Sequence, residues 1–256
     1  MEEPMAVMTK PAQRATAEPM AVMTKSAQRV TAQDAAALVR SGDWLDYGAV
    51  LAQPDAFDRA LAQRAGELRN VNIRGCLSLR PRAVLEADPE REHFNFFNWH
   101  LGGYDRKLSD AGRQNYIPCN LGEIPDYYRR FIDPPDIMVV KTCPVDANRF
   151  FNFGPANLWH GAVASRAKIV IVETDPAVPY VHGIENGLHV SQVDFVVEGG
   201  GQPLPELPSP RNLACQRSAW SRCVSCGTRS RTIWASVQDR SRSASGPADR
   251  CPTCRD

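Results

Sequence analysis

Two continuous apolar runs constrain the fold more than any other feature, IMVV at residues 137–140 and IVIV at residues 169–172. A strand that is buried on both faces forms an unbroken run of this kind, because neither face meets water. A helical stretch lies between the two runs, and alternation of strands and helices is typical of a mainly parallel sheet. The sequence therefore predicts an α/β fold with an open, mainly parallel sheet and helices on both faces.

Further elements follow from local patterns. Strands are predicted in WLDYGAV, VNIRGCLSL, FNFFNW, YIPCNL and DFVVEGG, in addition to the two apolar runs. Helices are predicted in TAQDAAALVRSGD, PDAFDRALAQRAGELR, IPDYYRRFI and GPANLWHGAVASRA. Thr31 is the expected N-cap of the first helix and Gly42 its C′ residue, while Pro54 is expected at the first position of the second helix.

The beginning of the chain contains a direct repeat. EPMAVMTKPAQRATA at residues 3–17 is followed at once by EPMAVMTKSAQRVTA at residues 18–32. Two copies are too few to bury a shared face, since repeat architectures need about three units. We therefore expect residues 1–22 to be disordered and the α/β domain to occupy residues 23–210.

The end of the chain has a different composition. QPLPELPSP, with four prolines, reads as an extended connector, and residues 211–256 then carry nine Arg, no Lys, no Glu and three Asp. This tail also holds eight Ser and few large aliphatic residues, too few to offset the entropy of ordering it. We interpret the tail as an out-of-frame translation that is disordered, so that the chain is a truncated one.

The tail also contains two Cys-x-x-Cys pairs, a spacing found in zinc ribbons. The four sulfur ligands would be Cys223, Cys226, Cys251 and Cys254. In that alternative interpretation the protein is an α/β binding domain with a zinc-ribbon tail, and the arginines contact nucleic-acid phosphates. The neighbouring residues argue against it, because only Gly227 supplies the turn glycine that knuckles use. The preferred interpretation has no metal site and no nucleic-acid partner.

Several classes of function are excluded by missing motifs. The sequence contains no phosphate-binding Gly-x-x-x-x-Gly-Lys loop, no Gly-x-Gly-x-x-Gly after the first strand, no Gly-x-Ser-x-Gly elbow and no His-Glu-x-x-His. No run of 18 apolar residues and no secretory signal is present, so we expect neither a membrane partner nor secretion. The three cysteines before the tail, Cys76, Cys119 and Cys143, are widely spaced, as in proteins of a reducing compartment where thiols stay free. We therefore expect a cytoplasmic location.

Three polar loops are candidates for binding. HLGGYDRK places Gly102 and Gly103 after a strand, with Arg106 at the start of the next helix, where backbone N–H groups and a guanidinium could meet an anion. The alternative is a tight turn capped by Asp105. KTCPVDANRFFNFG follows a buried strand, where open parallel sheets place ligands, and HGIENGLHVSQVD separates the last two strands.

Together these segments resemble a known family. NWHLGGYDRK, NYIPCNLGEIPDYYRRFI, DIMVVKTCPVDANRFFNFG, AKIVIVETDPAVPYVHG, HVSQVDFVVEG and QPLPELPSP are similar, in this order, to the amino-terminal half of the acetyl-CoA hydrolase/transferase family. Within it the likeness is greatest to butyryl-CoA:acetate and 4-hydroxybutyrate CoA-transferases. The resemblance covers residues 31–210 and implies transfer of CoA between a short-chain acyl-CoA and a carboxylate, with coenzyme A as substrate and no cofactor.

The resemblance also implies where the chemistry lies. Family members have two similar α/β domains with the site between them, and a glutamate in a His-x-Glu-Met motif of the second half forms a covalent thioester with CoA. This sequence has no such motif, so no catalytic residue is assigned and we expect the isolated chain to be inactive. The resemblance further implies a homodimer. By analogy, the following residues are expected to face the interdomain cleft: Gly48, Gln53, Pro54, Gly102, Gly103, Arg106, Pro144, Asp146, His189 and Ser191.

Overall fold

The computed structural model describes residues 27–205. Within this range, eight strands form one parallel sheet and two form a small antiparallel sheet. The strands are β1 (Gln28–Val30), β2 (Trp44–Ala49), β3 (Val71–Cys76), β4 (Phe94–Asn98), β5 (Asn115–Tyr116), β6 (Ile137–Thr142), β7 (Phe150–Asn152), β8 (Ile169–Thr174), β9 (Gly187–His189) and β10 (Phe195–Glu198). The large sheet has the order β1-β10-β8-β6-β2-β3-β4-β5, and β7 pairs with β9.

Short helices connect the strands. They are α1 (Ala32–Ala37), α2 (Ala56–Ala62), α3 (Ala83–Ala87), α4 (Gly103–Asp110), α5 (Ile124–Asp126), which continues as one π-helical turn (Tyr127–Phe131), and α6 (His160–Ala164). None of the helices in residues 27–205 is both long and apolar enough to cross a bilayer.

The large sheet is covered on both faces. Along β6, Ile137 and Val139 enter a core built with residues of α1, α2 and α3. The alternate residues Met138 and Val140 enter a second core, built with α6 and the π-helical turn. Successive side chains of a strand point to opposite faces, so an unbroken apolar run feeds both cores. The predicted fold class, an open parallel sheet between two helical layers, is confirmed for the described residues.

The first helix begins where the sequence predicts and ends earlier. The hydroxyl of Thr31 accepts the N–H of Asp34 at 3.1 Å, and the Asp34 carboxylate accepts the N–H of Thr31 in return. The predicted N-cap is therefore confirmed. The helix spans Ala32–Ala37 and ends at Ala37, so the prediction of Gly42 as its C′ residue was wrong. Gly42 does adopt a left-handed φ of 86°, but in the next turn, where its N–H donates to Arg69.

The second helix begins later than predicted. Its N-cap is Asp55 and its first residue Ala56, so Pro54 lies just before the helix and its prediction at the first helical position was wrong. The reason is tertiary. The carboxylate of Glu173 accepts the N–H groups of Asp55, Ala56 and Phe57, and a proline among these three would lack the donor.

Other differences concern short elements. Of the strand predicted in YIPCNL, only the first residue, Tyr116, lies in a strand, because β5 pairs with β4 only at Asn115 and Tyr116. Strands β1, β7 and β9 were not predicted, since three residues are too few for a pattern to emerge. The expected disorder of residues 1–22 and the interpretation of the tail at 211–256 lie outside the described residues.

Candidate functional site

The parallel sheet reverses its direction of growth beside β2. From β2 the chain adds β3, β4 and β5 on one side, whereas β6, β8 and β10 lie on the other. At such a switch point the loops that follow neighbouring strands diverge, and a crevice opens at the carboxyl edge of the sheet. The loops after β2 and β3 and the ends of β6 and β8 supply the side chains that meet there.

The end of β2 is held in an unusual backbone conformation. Gly48 has a φ of 64°, and a Cβ atom at this position would lie 2.5 Å from Nε2 of His160. Val50, two residues later, has a φ of 53°. A β-branched residue in the left-handed region is a true outlier that costs on the order of 1–3 kcal/mol. The surrounding structure therefore enforces the path that carries Gln53 and Asp55 to the crevice.

Asp55 is the centre of a cluster of charged side chains, some of them buried and the others half-buried. One carboxylate oxygen contacts Nζ of Lys141 and lies 3.0 Å from Arg80, and the other lies 3.0 Å from Arg82. Lys141 is also 3.9 Å from the carboxylate of Asp175. We call Asp55, Arg80, Arg82, Lys141 and Asp175 the charged cluster.

The charged cluster sets the ionisation of Asp55. Burial alone would raise the pKa of Asp55, but the hydrogen bond from Lys141 and the charge of Arg82 outweigh burial and lower the pKa below its ordinary value. The carboxylate is thus kept ionised and hydrogen-bonded. It is a fixed anion among three cations and not a free acid or base.

A second carboxylate, that of Glu173, lies next to the charged cluster and is buried. It is 1% exposed, and it accepts the N–H groups at the start of α2. An anion is favoured at the positive end of a helix. Glu173 therefore ties the end of β8 to the helix that follows β2, across the strand β6 between them.

The segment after β10 crosses the crevice. We call Gln202, Pro203, Leu204 and Pro205 the strap. Arg80 donates to the side-chain oxygen of Gln202 at 3.2 Å and to the carbonyl oxygen of Pro203. Leu204 and Pro205 close a small cavity that is otherwise lined by residues of the crevice.

Two of the predicted cleft residues lie at this crevice. Gln53 is 2% exposed and its Nε2 donates to the carbonyl of Cys76 at 3.2 Å, while its Oε1 has no hydrogen-bond partner among the described residues. The carbonyl of Pro54 accepts a hydrogen bond from Arg82 at 2.9 Å. A third, Gly48, is buried in the interior, packed against the ring of His160.

Three other predicted residues lie at the end of β4. Gly102 is the N-cap of α4, and its N–H donates to the carboxylate of Asp105 at 2.9 Å. The same carboxylate accepts the N–H of Ser78, so the turn capped by Asp105 is the arrangement observed. Gly103 and Arg106 are exposed.

The remaining four lie around the small sheet. The side chain of Asp146 accepts the N–H of Phe150 at 2.8 Å, and Nδ1 of His189 lies 2.8 Å from the hydroxyl of Ser191. The rings of Phe150 and His189 meet edge to face at 5.1 Å. Pro144 is exposed and lines a separate groove of about 560 Å³ beside β1 and β10. The structure thus places nine of the ten predicted residues in three groups and leaves Gly48 apart from them.

The sequence interpretation missed the charged cluster itself. A weak signal existed, because Lys141 ends the apolar run of β6 and Glu173 ends that of β8. A charge at the carboxyl end of a buried strand is expected at a ligand edge. Arg80 and Arg82 lie in an ordinary loop and carry no such signal.

The described residues offer no metal site. In residues 27–205 no three His, Cys, Asp or Glu side chains are grouped to hold an ion. Cys76, Cys119 and Cys143 are free thiols. The four cysteines of the alternative zinc ribbon lie outside the described residues.

Comparison with known proteins gives one family. Residues 21–208 match the acetyl-CoA hydrolase/transferase N-terminal domain. The butyryl-CoA:acetate CoA-transferase of Anaerostipes caccae is 41% identical over 169 residues, which are 66% of this chain and 38% of that protein. The probable butyrate:acetyl-CoA coenzyme A-transferase of Syntrophomonas wolfei is 34% identical over 68% of this chain and 40% of that protein. The chain thus spans about two fifths of the length of these curated relatives.

Solved structures show the same fold. RipA from Yersinia pestis superposes with a TM-score of 0.65 at 24% identity, over 73% of this chain and 45% of that one. A 4-hydroxybutyrate CoA-transferase from Porphyromonas gingivalis superposes with a TM-score of 0.54 at 20% identity, over 77% of this chain and 45% of that one.

Proposed function

Because the chain belongs to the acetyl-CoA hydrolase/transferase family, we propose that it serves in moving CoA between a short-chain acyl-CoA and a carboxylate such as acetate or 4-hydroxybutyrate. The names of the relatives, a butyryl-CoA:acetate and a 4-hydroxybutyrate CoA transferase among them, support this choice of substrates. The described domain would supply one wall of the site. Coenzyme A enters as a substrate, and no cofactor takes part.

One observation supports the proposal that this domain binds the substrates while the nucleophile lies elsewhere. Each of three carboxylates at the crevice is already engaged: Asp55 by three cations, Glu173 by three backbone N–H groups and Asp175 by the N–H of Ala177 and the nearby Lys141. A nucleophile that attacks a thioester needs a free lone pair directed at the carbonyl carbon. We infer that this domain binds and orients the substrates, and that the reacting carboxylate comes from residues outside the described part.

Within this proposal the predicted residues shape the cleft. Gln53 and Pro54 have the strongest support, since they border the charged cluster. Pro144, Asp146, His189 and Ser191 form a second wall around the small sheet. Gly102, Gly103 and Arg106 are proposed as an outer rim at the end of β4, and Gly48 acts indirectly by holding the path of β2.

The wider organisation is proposed on the same basis. The proposed domain boundaries are 23–210, with a separate start at 1–22 and a separate tail at 211–256. The protein pairs as a homodimer, acts in the cytoplasm and binds neither membranes nor nucleic acid. The zinc-ribbon alternative has no support from the described residues. It would be favoured by about one zinc per chain that is lost when Cys223 and Cys254 are changed to Ser.

Exchange of CoA between acetyl-CoA and butyrate tests the proposal. The purified chain should give no exchange, whereas a chimaera in which residues 27–205 replace the matching segment of the Anaerostipes caccae enzyme should be active. In the chimaera, Asp55→Asn should lower the rate at least about tenfold, because the cations around Asp55 lose their shared anion. Arg129→Gln, a change of an exposed arginine, is the matched control. Exchange by the purified chain alone, or a folded chimaera without activity, would contradict the proposal.

A further inference from the structure

The groove beside β1 and β10 has a volume of about 560 Å³ and an apolar floor. Phe151 and Val196 line it and belong to the second core of the sheet, and Val190 lines it and packs against that core. Val145, also in the lining, remains 45% exposed. The groove is therefore a place where the second core reaches the surface, and apolar surface of this kind marks a site of contact with another segment or molecule.

The described part of the chain begins in this groove. Ala27, its first residue, lines the groove and packs against the second core. The preceding chain must therefore enter from the groove itself. Met23 and Met20 come four and seven residues before Ala27, so an extended chain carries them at most about 14 and 25 Å from it. Both methionines are within reach of the groove.

These methionines belong to one copy of the direct repeat. We call EPMAVMTK at residues 18–25 the second octapeptide and the identical EPMAVMTK at residues 3–10 the first octapeptide. The central MAVM is wholly apolar, and methionine adapts its shape to irregular gaps and makes favourable contacts with aromatic rings such as that of Phe151. The second octapeptide lies outside the described residues, although the family match already begins at residue 21.

The charges of the groove and of the second octapeptide are complementary. Arg149 lines the groove, is exposed, and pairs with no carboxylate of residues 27–205. Glu198 lines the end of the groove at β1, where it forms an exposed pair with Arg29. The octapeptide carries Glu18 before its apolar run and Lys25 after it. A chain that enters at β1 brings Lys25 to Glu198 first and Glu18 toward Arg149 last, which is the order that pairs opposite charges.

We propose that the second octapeptide docks in this groove, with Met20, Val22 and Met23 against the apolar lining and the carboxylate of Glu18 on Arg149. The first octapeptide has the same residues, but its last methionine lies 19 residues before Ala27 instead of four. Closing this longer loop makes its docking about tenfold less favourable. The inference extends the proposed domain from residue 23 back to residue 18, and it does not depend on the proposed CoA transfer.

Methionine oxidation tests the proposal on the purified 256-residue chain. Hydrogen peroxide oxidises exposed methionines faster than packed ones, and a tryptic digest gives a separate peptide for each octapeptide, so mass spectrometry follows both in one sample. In the native chain, Met20 and Met23 should be oxidised at least about threefold more slowly than Met5 and Met8. In denaturant the two rates should be equal, because the local sequences are identical. Equal rates in the native chain would overturn the proposal.

Variants of the groove show whether it is the site of docking. Val145→Asp places a charge on an exposed part of the apolar lining, so the fold is kept while the protection of Met20 and Met23 should be lost. Leu158→Asp is the matched control, because Leu158 is 41% exposed and does not line the groove. Protection that survives Val145→Asp, or that Leu158→Asp removes equally, would overturn the proposal.

The ion pair with Glu18 is tested at Arg149. Arg149→Gln should raise the oxidation rate of Met20 and Met23 about twofold, as expected for one exposed ion pair. Arg129→Gln, at an exposed arginine outside the groove lining, should leave the rate unchanged. Equal rates in the two variants would overturn the assignment of Arg149.

The repeat itself supplies the last control. Val22→Asp and Val7→Asp make the same substitution in identical octapeptides, and only Val22→Asp should remove the protection of Met20 and Met23. Equal effects of the two variants would overturn the choice of the second octapeptide. The protection should also be independent of chain concentration between about 1 and 100 μM, because the segment belongs to the same chain. Protection that rises with concentration would show docking on a second chain and would overturn the proposal.

Discussion

The carboxylate of Glu173 accepts the backbone N–H of Phe57 at 3.0 Å, although 116 residues separate them along the chain. The same carboxylate accepts the N–H groups of Asp55 and Ala56, so one buried side chain satisfies three donors at the start of α2. The contact joins the two sides of the switch point, and it fixes the position of Asp55 within the charged cluster.

Loss of this charge should destabilise the fold. Glu173→Gln replaces one acceptor oxygen by an NH₂ group that faces N–H donors, so the free energy of unfolding should fall by about 2–4 kcal/mol. Denaturant titration followed by circular dichroism measures it. Glu198→Gln is the control, because Glu198 pairs with Arg29 at the surface, where both side chains are more than 70% exposed, and should change stability by less than about 1 kcal/mol. Equal effects of the two variants would show that Glu173 does not cap α2.

Asp58 should make the protein less stable as pH rises. Burial raises the pKa of Asp58 to about 6 despite the nearby Arg82. Between about pH 4 and 6 the folded state then holds a proton that the unfolded state has lost, so stability falls across this window and stays low above it. Asp58→Asn removes this loss. The unfolding free energy of the variant minus that of the native protein should therefore be up to about 3 kcal/mol larger at pH 7 than at pH 4. Unfolding curves that show the same difference between variant and native protein at both pH values would contradict this.

His160 should make the protein less stable as pH falls. Burial lowers the pKa of His160 to about 3, so the folded state keeps the imidazole neutral where the unfolded chain protonates it. Stability from this residue is complete above about pH 6.5 and is lost as pH falls toward 3. In His160→Gln this acid-dependent loss should disappear. The slope of unfolding free energy against pH is the measurement, since absolute stability also changes when the ring is removed from its stack on Phe153. A slope identical to that of the native protein would mean that His160 is protonated when folded.

The contact between Gly48 and His160 should appear as a steric cost. Gly48→Ala adds a Cβ 2.5 Å from Nε2 of His160 at a φ of 64°, and both effects destabilise the fold. We expect a loss of at least about 2–3 kcal/mol. Gly42→Ala is the matched control, since its φ of 86° carries the backbone cost but no atom lies within 4 Å of the added Cβ. Thermal unfolding should separate the two variants, and equal melting temperatures would rule out the steric contact.

Much of the fold was predictable because its signals are local. The apolar runs of β6 and β8 identified buried strands, and Thr31 identified the start of α1. The second helix was misplaced, because its first turn depends on Glu173, a residue more than one hundred positions away. The pairing of β7 with β9 could not be predicted either, because strands of three residues are too short to show hydrophobic alternation.

The amino-acid sequence by itself determined the α/β class, the family likeness and the residue types available at each loop. Only the tertiary structure decided that Asp55, Arg80, Lys141 and Glu173 meet at one crevice, and that the ten predicted cleft residues separate into three groups and one interior glycine. The physical reason is range: hydrophobic period and capping act over a few residues, whereas the meeting of loops depends on strand order. In this protein that order places β6 beside β2, and so brings Lys141 to Asp55 across 86 residues of chain.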